Sequence, residues 1–134
     1  MLRTKDILDE KDPRVRAKNT DVDFPLNDEY KDIIPEMLKH LRYSQIEKLS
    51  KKYDLRPGMG LAAPQLGINK NFFVVCYEVK DGVFDDYILI NPKVISYSEE
   101  MIYAGEGEGC LSVNREVEGI VPRHARITVE AYDL

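Results

Sequence analysis

Two short glycine-containing segments carry the residue types that could do chemistry in this chain. Residues 58–65 read GMGLAAPQ, and residues 105–112 read GEGEGCLS. In the first segment, Gln65 could direct a side-chain amide N–H at a developing oxyanion. The alternative is a connection between a helix and a strand in which the glycines serve only close packing. A short glycine-rich loop alone does not decide between the two.

Cys110 is the reactive residue type of the second segment. It lies close to Glu106 and Glu108, and a thiolate beside two carboxylates is electrostatically disfavoured unless a divalent metal binds it. Three roles are therefore open for Cys110: a metal ligand, a buried structural thiol, and a nucleophile. Cys76 lies inside an apolar run and is predicted to be a core residue.

The chain contains two histidines, His40 and His124. Neither is followed by Glu, and the two are not spaced i and i+4. The 134 residues therefore hold no HExxH motif, in which two imidazoles on one helix face bind a metal. Cys110 and His124 could share a metal, but two protein ligands are fewer than the three that catalytic zinc-type sites use.

An amphipathic helical region, residues 27–53, precedes the first segment. Asn27 is a suitable N-cap, and the two acidic residues after it favour the positive end of a helix dipole. Apolar residues then recur at the spacing of a buried helix face, namely Tyr30, Ile33, Ile34, Met37, Leu38 and Leu41. Pro35 is expected to kink this helix. A second helical stretch is predicted at 45–53, and a short helix near residues 5–10.

Residues with high β-propensity dominate the remainder of the chain. Strands are predicted at 71–79, 87–90, 94–97 and 126–132, with Pro92 as an interruption. A helix followed by several strands predicts an α+β fold with antiparallel sheets and an N-terminal helix. The length fits one domain, residues 1–134.

The overall composition excludes several classes of protein. A formal net charge of -5 argues against nonspecific binding to nucleic acid, which requires clustered Lys and Arg. No apolar run is long enough for a secretory signal or a membrane span, and two cysteines are too few for a disulfide framework. We therefore expect a cytoplasmic protein without membrane partners.

The two segments together resemble two signature motifs of the peptide deformylases. Residues 58–65 match GxGLAAPQ and residues 108–112 match EGCLS, in the same order and at a plausible separation. Residues 90–92 resemble the NP turn of that family, and residues 121–124 resemble the stretch after its second motif. The extra segment at 44–53 is similar to the larger, Gram-positive-type subgroup. The resemblance implies a peptide-deformylase-like α+β fold.

The resemblance also implies an activity and roles for particular residues. Peptide deformylases hydrolyse the N-formyl group from the N-terminal formyl-methionine of nascent proteins, with Fe²⁺ in the cell or Ni²⁺, Co²⁺ or Zn²⁺ in its place. Cys110 corresponds to the thiolate ligand of the metal. Gln65 and the Leu111 backbone N–H correspond to the groups that hold the formyl oxygen as it becomes an oxyanion. The substrate-binding positions that carry over are Gly58, Gly60, Leu61 and Glu108, and the Gly60 backbone is the one that pairs with the extended peptide.

The chain departs from the family pattern in one respect. The third motif of the family, HExxH, supplies two His ligands and a Glu that acts as base and acid, and none of these is present. We therefore expect a C-terminally truncated fold that lacks the central metal-binding helix. The metal should be weakly bound or absent, and deformylase activity negligible. The loss should also expose apolar faces of strands at 72–79 and 127–129.

Several origins and functions remain compatible with this pattern. A truncated deformylase could be a partial sequence, a frameshifted gene or a disrupted paralogue. A second hypothesis is a non-catalytic module that binds N-formyl-methionyl peptides. A third is one half of a split deformylase, completed by a separate C-terminal fragment. The fourth is a hydrolase with Cys110 as nucleophile and His124 as its base.

Overall fold

The computed structural model describes residues 1–133. It contains two α-helices, α1 (Asp28–Ser44) and α2 (Glu47–Tyr53). The strands are β1 (Gly60–Ala62), β2 (Phe72–Lys80), β3 (Val83–Tyr97), β4 (Met101–Ile102), β5 (Arg123–His124) and β6 (Ile127–Tyr132). Short 3₁₀ turns lie at Thr4–Asp6, Pro13–Arg16 and Ala63–Leu66.

The predicted amphipathic helix is confirmed as α1. The Asn27 side chain caps it by accepting a hydrogen bond from the Glu29 N–H at 2.8 Å, which satisfies one of the unpaired donors of the first turn. α1 continues through Pro35 to Ser44. The chain then leaves the helix for two residues before α2, so the helical region is two helices, as the weaker periodicity after Leu41 indicates.

The strands form the expected antiparallel arrangement. A four-stranded sheet has the order β1-β2-β3-β6, and β4 pairs with β5 in a separate two-stranded sheet. β2 and β3 form a hairpin through Asp81 and Gly82, and Gly82 has a φ of 75°, which glycine adopts without strain. The first strand, β1, lies at one edge of the four-stranded sheet, with β6 at the other.

The predicted interruption at Pro92 is wrong. β3 runs from Val83 to Tyr97 as one strand, and its pairing with β6 shifts register between Ile90 and Lys93. Asn91 has a φ of 52°. At such an irregularity the backbone N–H that Pro92 lacks is not needed for the ladder, so the strand continues past the proline.

The core lies between α1 and the sheet. Phe72, Val74 and Cys76 project from β2 into the same buried cluster as Met37 and other apolar residues of α1. The expected exposed apolar face is wrong for this side of β2, where the three side chains are at most 2% exposed because α1 covers them. On the opposite side of β2 the expectation holds in part, because Val79 is 46% exposed and Phe73 and Val75 are half-buried.

The expectation of an exposed apolar face holds for β6. Ile127 is 55% exposed, and Val129 is half-buried.

Cys76 is a core residue as predicted, with no exposed surface. Among residues 1–133, no helix combines the length and the apolar character needed to cross a membrane.

Candidate active site

Gln65 lies in the 3₁₀ turn that directly follows the edge strand β1. Its Oε1 accepts a hydrogen bond from the Ala62 backbone N–H at 3.0 Å. A backbone N–H can only donate, so the atom facing Ala62 must be the amide oxygen, and the NH₂ group points the other way. The orientation of the Gln65 amide is thus fixed by its own turn, with two N–H donors directed outward.

The NH₂ group of Gln65 faces the second motif. Its Nε2 lies 3.1 Å from Ser112 Oγ and 3.8 Å from Cys110 Sγ. Ser112 is 5% exposed, so the hydrogen bond to it is shielded from water. The fold therefore brings together Gln65 and Cys110, which are 45 positions apart in the chain.

Cys110 itself is exposed. The possibility that it is a buried structural thiol is therefore wrong. Its loop is held by the guanidinium group of Arg56, which donates to the carbonyl oxygen of Cys110, to Val113 O at 3.0 Å and to Asn114 Oδ1 at 3.1 Å. The Cys110 thiol thus lies at the surface, on a turn held by Arg56 and beside the Gln65 amide.

The two glycines of the first motif have different neighbours: Gly58 contacts the second motif, and Gly60 lies in the edge strand β1. A Cβ on Gly58 would lie 2.9 Å from Leu111 Cδ1, so a larger residue at this position would force the Leu111 side chain or the backbone to shift. Gly60 is exposed and pairs with Val75 of β2. The Leu61 side chain is 1% exposed and belongs to the core, so only the backbone of Leu61 faces the sheet edge.

Glu108 forms a two-pronged ion pair with Arg123. Arg123 Nε donates to Glu108 Oε2 at 2.8 Å, and Nη2 donates to Oε1 at 2.5 Å. These hydrogen bonds favour the ionised carboxylate and hold the pKa of Glu108 below its usual range. The pair ties the strand β5 to the loop that leads into Cys110.

One ring nitrogen of each histidine faces a backbone carbonyl oxygen. His40 is 1% exposed, and its Nδ1 lies 2.8 Å from the carbonyl oxygen of Leu2. His124 Nδ1 lies 2.8 Å from the carbonyl oxygen of Ser98. Within residues 1–133, no group of three or more His, Cys, Asp or Glu side chains could hold a metal ion. Cys110 is a candidate donor, but these residues do not complete a three-ligand site.

Several residues of the site carry no signal in the sequence. Arg56 is a single arginine before the first motif, and nothing in its neighbourhood marks it as the brace of a loop 54 positions away. The N-terminal segment also contributes, because Leu8 N donates to Gln65 O at 2.7 Å and Glu10 N donates to Ser112 O at 2.8 Å. Such long-range contacts of exposed or backbone groups have no local pattern.

The arrangement combines three chemical elements. An oriented amide donor lies beside a surface thiol, and the turn that carries the amide directly follows an edge strand that has one neighbour in the sheet. An edge strand can accept an extended peptide by main-chain pairing, and an oriented N–H can stabilise a carbonyl oxygen that gains charge.

The whole chain is similar in sequence to known proteins. The family model described as "Polypeptide deformylase" matches residues 4–134. The peptide deformylase of Oceanobacillus iheyensis is 46% identical over 134 residues, which are 100% of this chain and 73% of the relative. The peptide deformylase of Macrococcus caseolyticus is 50% identical over 133 residues, 98% of this chain and 72% of the relative.

Solved structures give the same result for the fold. A probable peptide deformylase from Synechococcus phage S-SSM7 superposes with a TM-score of 0.74 at 31% identity, covering 95% of this chain and 75% of that one. Peptide deformylase 1B of Arabidopsis thaliana, in complex with an inhibitor, superposes with a TM-score of 0.72 at 27% identity, covering 96% and 62% respectively.

Proposed function

The chain belongs to the polypeptide deformylase family, and we propose that it forms the peptide-binding side of a deformylase site. The substrate is an N-formyl-methionyl peptide, bound as an extended strand. The observation that carries the proposal is the Gln65 amide, which its own turn directs at Ser112 and Cys110. An amide donor held in this way costs no reorganisation when the formyl oxygen becomes negative.

Each motif residue has a role in this proposal. Gln65 Nε2 and the Leu111 backbone N–H donate to the formyl oxygen. The Gly60 backbone pairs with the peptide along the outer edge of β1, and the backbones of Gly58 and Leu61 border the same edge. Glu108 belongs to the substrate side as well: its ion pair with Arg123 fixes the loop that flanks the bound peptide.

The proposal limits what the 134-residue polypeptide can do with a metal. Cys110 would supply a thiolate to Fe²⁺, or to Ni²⁺, Co²⁺ or Zn²⁺, and in the family the metal supplies an activated water. No HExxH is present, and the donor set within residues 1–133 falls short of three. We therefore propose weak metal binding and negligible turnover for this polypeptide, together with retained peptide binding.

Two measurements on the purified 134-residue polypeptide test the proposal. Titration calorimetry should detect binding of N-formyl-Met-Ala-Ser to the polypeptide, and removing the formyl group from the peptide should weaken that binding. Gln65→Leu should reduce the preference for the formylated peptide by about three- to tenfold, the typical worth of one hydrogen bond. Failure of the wild-type chain to bind the formylated peptide would overturn the proposal.

Turnover is measured in the same preparation with ferrous iron under anaerobic conditions. The O. iheyensis relative, assayed alongside, provides the reference rate. Comparable rates for the two proteins would refute the donor-count argument.

In a third measurement, a synthetic helix that carries HExxH is added to the polypeptide. The apolar residues Val94 and Ile127 are 58% and 55% exposed and offer a surface on which such a helix could pack. A gain in turnover would favour completion by a separate C-terminal fragment, and no gain would count against it.

A further inference from the structure

Two polar residues at the end of α1, Ser44 and Gln45, hold the start of the first motif. Ser44 is 1% exposed. Its Oγ donates to Leu41 O at 2.7 Å and accepts from the Gly58 N–H at 3.1 Å. A buried hydroxyl with both a donor and an acceptor partner is fully satisfied, and removing it would leave the Gly58 N–H unpaired.

The Gln45 side chain adds a second connection to the same segment. Its Nε2 lies 2.7 Å from Cys76 O and 2.9 Å from Gly58 O, with Leu41 O more distant at 3.3 Å. An amide NH₂ has two hydrogens, and the two shortest distances indicate that they go to Cys76 and Gly58. Gln45 therefore joins the segment before β1 to the middle of β2.

Gly58 is held at both its N–H and its C=O by these two side chains. The next residue, Met59, accepts a hydrogen bond from the Cys76 N–H at 2.8 Å, after which β1 begins. β1 has three residues and one neighbouring strand, so few ladder hydrogen bonds fix its position. The end of α1 therefore contributes much of what locates this edge strand.

The same segment touches the other side of the site. Gly58 packs against Leu111, whose side-chain carbons would lie 2.9–3.1 Å from a Cβ at position 58. A displacement of Gly58 would therefore move the peptide-pairing edge at Gly60 and change the contact with Leu111 together.

We propose that Ser44 and Gln45 are positioning residues, which set the peptide-binding edge β1 relative to the Cys110–Leu111 turn. This inference rests on the proposed function, since it concerns the binding of the same formylated peptide. Neither residue contacts the peptide. Both act through Gly58, so their loss should weaken the binding of the formylated peptide and of its free-amine counterpart equally.

The test uses Gln45→Met, which keeps the side-chain length without the donors, and Ser44→Ala. Each should bind N-formyl-Met-Ala-Ser and Met-Ala-Ser about tenfold more weakly, or about 1.4 kcal/mol, with the ratio of the two affinities unchanged. In Ser44→Ala, hydrogen exchange of the Gly58 amide should become about tenfold faster, because this N–H loses its partner. In both variants exchange of the Cys76 amide should become faster as well, because it reports the docking of Met59. Affinities are measured where circular dichroism shows each variant to be folded.

Ser50→Ala is the matched control. Ser50 Oγ donates to Glu47 O at 3.1 Å, a bond of the same type on an exposed helix, and its loss should change neither affinity nor exchange.

Wild-type affinity in both variants, with unchanged exchange, would overturn the positioning role and leave the proposed function intact. A lowered melting temperature with unchanged affinity of the folded protein would also overturn the positioning role. A wild-type chain that binds no formylated peptide would overturn the proposed function and the positioning role together.

Discussion

Gly58→Ala should destabilise the protein because the added methyl collides with Leu111. An ideal Cβ at position 58 lies 2.9 Å from Cδ1, 3.0 Å from Cγ and 3.1 Å from Cδ2 of that side chain. Non-bonded carbons are optimally separated by about 3.5–4.0 Å, so the methyl is roughly 0.5 Å too close to three atoms. Overpacking of this kind typically costs about 1–3 kcal/mol.

Relief of this collision is restricted on both sides. The N–H and C=O of Gly58 are bonded to Ser44 and Gln45, so the backbone cannot retreat without losing those hydrogen bonds. Leu111 is half-buried and would have to leave its rotamer, at a cost of about 0.5–1.5 kcal/mol. We therefore expect a loss near the middle of the range, about 2 kcal/mol.

Urea unfolding of Gly58→Ala and Gly60→Ala measures the effect against a matched control. The nearest atom to a Cβ at position 60 is Val74 O at 3.8 Å, an ordinary contact, so Gly60→Ala should change the free energy of unfolding by less than about 0.5 kcal/mol. Both changes reduce the conformational entropy of the unfolded chain to the same extent, and the comparison removes that contribution.

A double variant identifies the cause of the loss. Leu111→Ala deletes the three carbons that collide with the new methyl, so Gly58→Ala should cost much less in that background, with a coupling of about 1 kcal/mol or more. Equal effects at the two glycines, or strict additivity with Leu111→Ala, would refute the collision.

Three further predictions concern the core, the thiols and the pH dependence of stability. Val74→Ala should lower the free energy of unfolding by about 2–3 kcal/mol in urea titrations, because Val74 has no exposed surface and two buried methyl groups are lost. Iodoacetamide at pH 8 should modify exposed Cys110 but spare Cys76 until the protein unfolds, because Cys76 is fully buried and burial raises the pKa of its thiol to about 11; peptide mass spectrometry reads the two sites separately. Glu108→Gln should lower stability at pH 7 but not at strongly acidic pH, in melting curves recorded across pH. The reason is that Arg123 holds the pKa of Glu108 below its ordinary value near 4.5, so the stabilisation is complete above that value and is lost as the pH falls through the lower, folded-state pKa.

The sequence predicts the regular elements well where one periodicity dominates. α1 shows a clean i, i+3, i+4 pattern with a capping Asn27, and β2 alternates buried and half-buried residues as its composition indicates. Pro92 misled the prediction because its effect depends on a register shift in the pairing of β3 with β6. A local rule for proline cannot include a partner strand that lies more than 30 positions away.

The candidate site was predicted unevenly for a related physical reason. The motifs name Gln65 and Cys110, and the fold brings them to 3.8 Å. The residues that hold these segments in place are single polar side chains. Gln45 donates to Cys76, 31 positions away in the chain, and Arg56 donates to Asn114, 58 positions away. A lone arginine or glutamine has no periodicity and no neighbouring pattern, so only the folded geometry reveals its role.

Under the proposed function, peptide binding and hydrolysis depend on different groups. The Ala62 N–H orients the Gln65 side-chain amide, and the guanidinium of Arg56 holds the carbonyl oxygen of Cys110. The end of α1 holds the backbone of Gly58. These contacts lie within residues 1–133, and under the proposed function they position the groups that receive a formylated peptide. Activation of water requires further ligands that this set of side chains does not supply. Changes in the braces should therefore alter peptide affinity, whereas ligands supplied in trans should alter turnover, and a variant that moved both equally would contradict this separation.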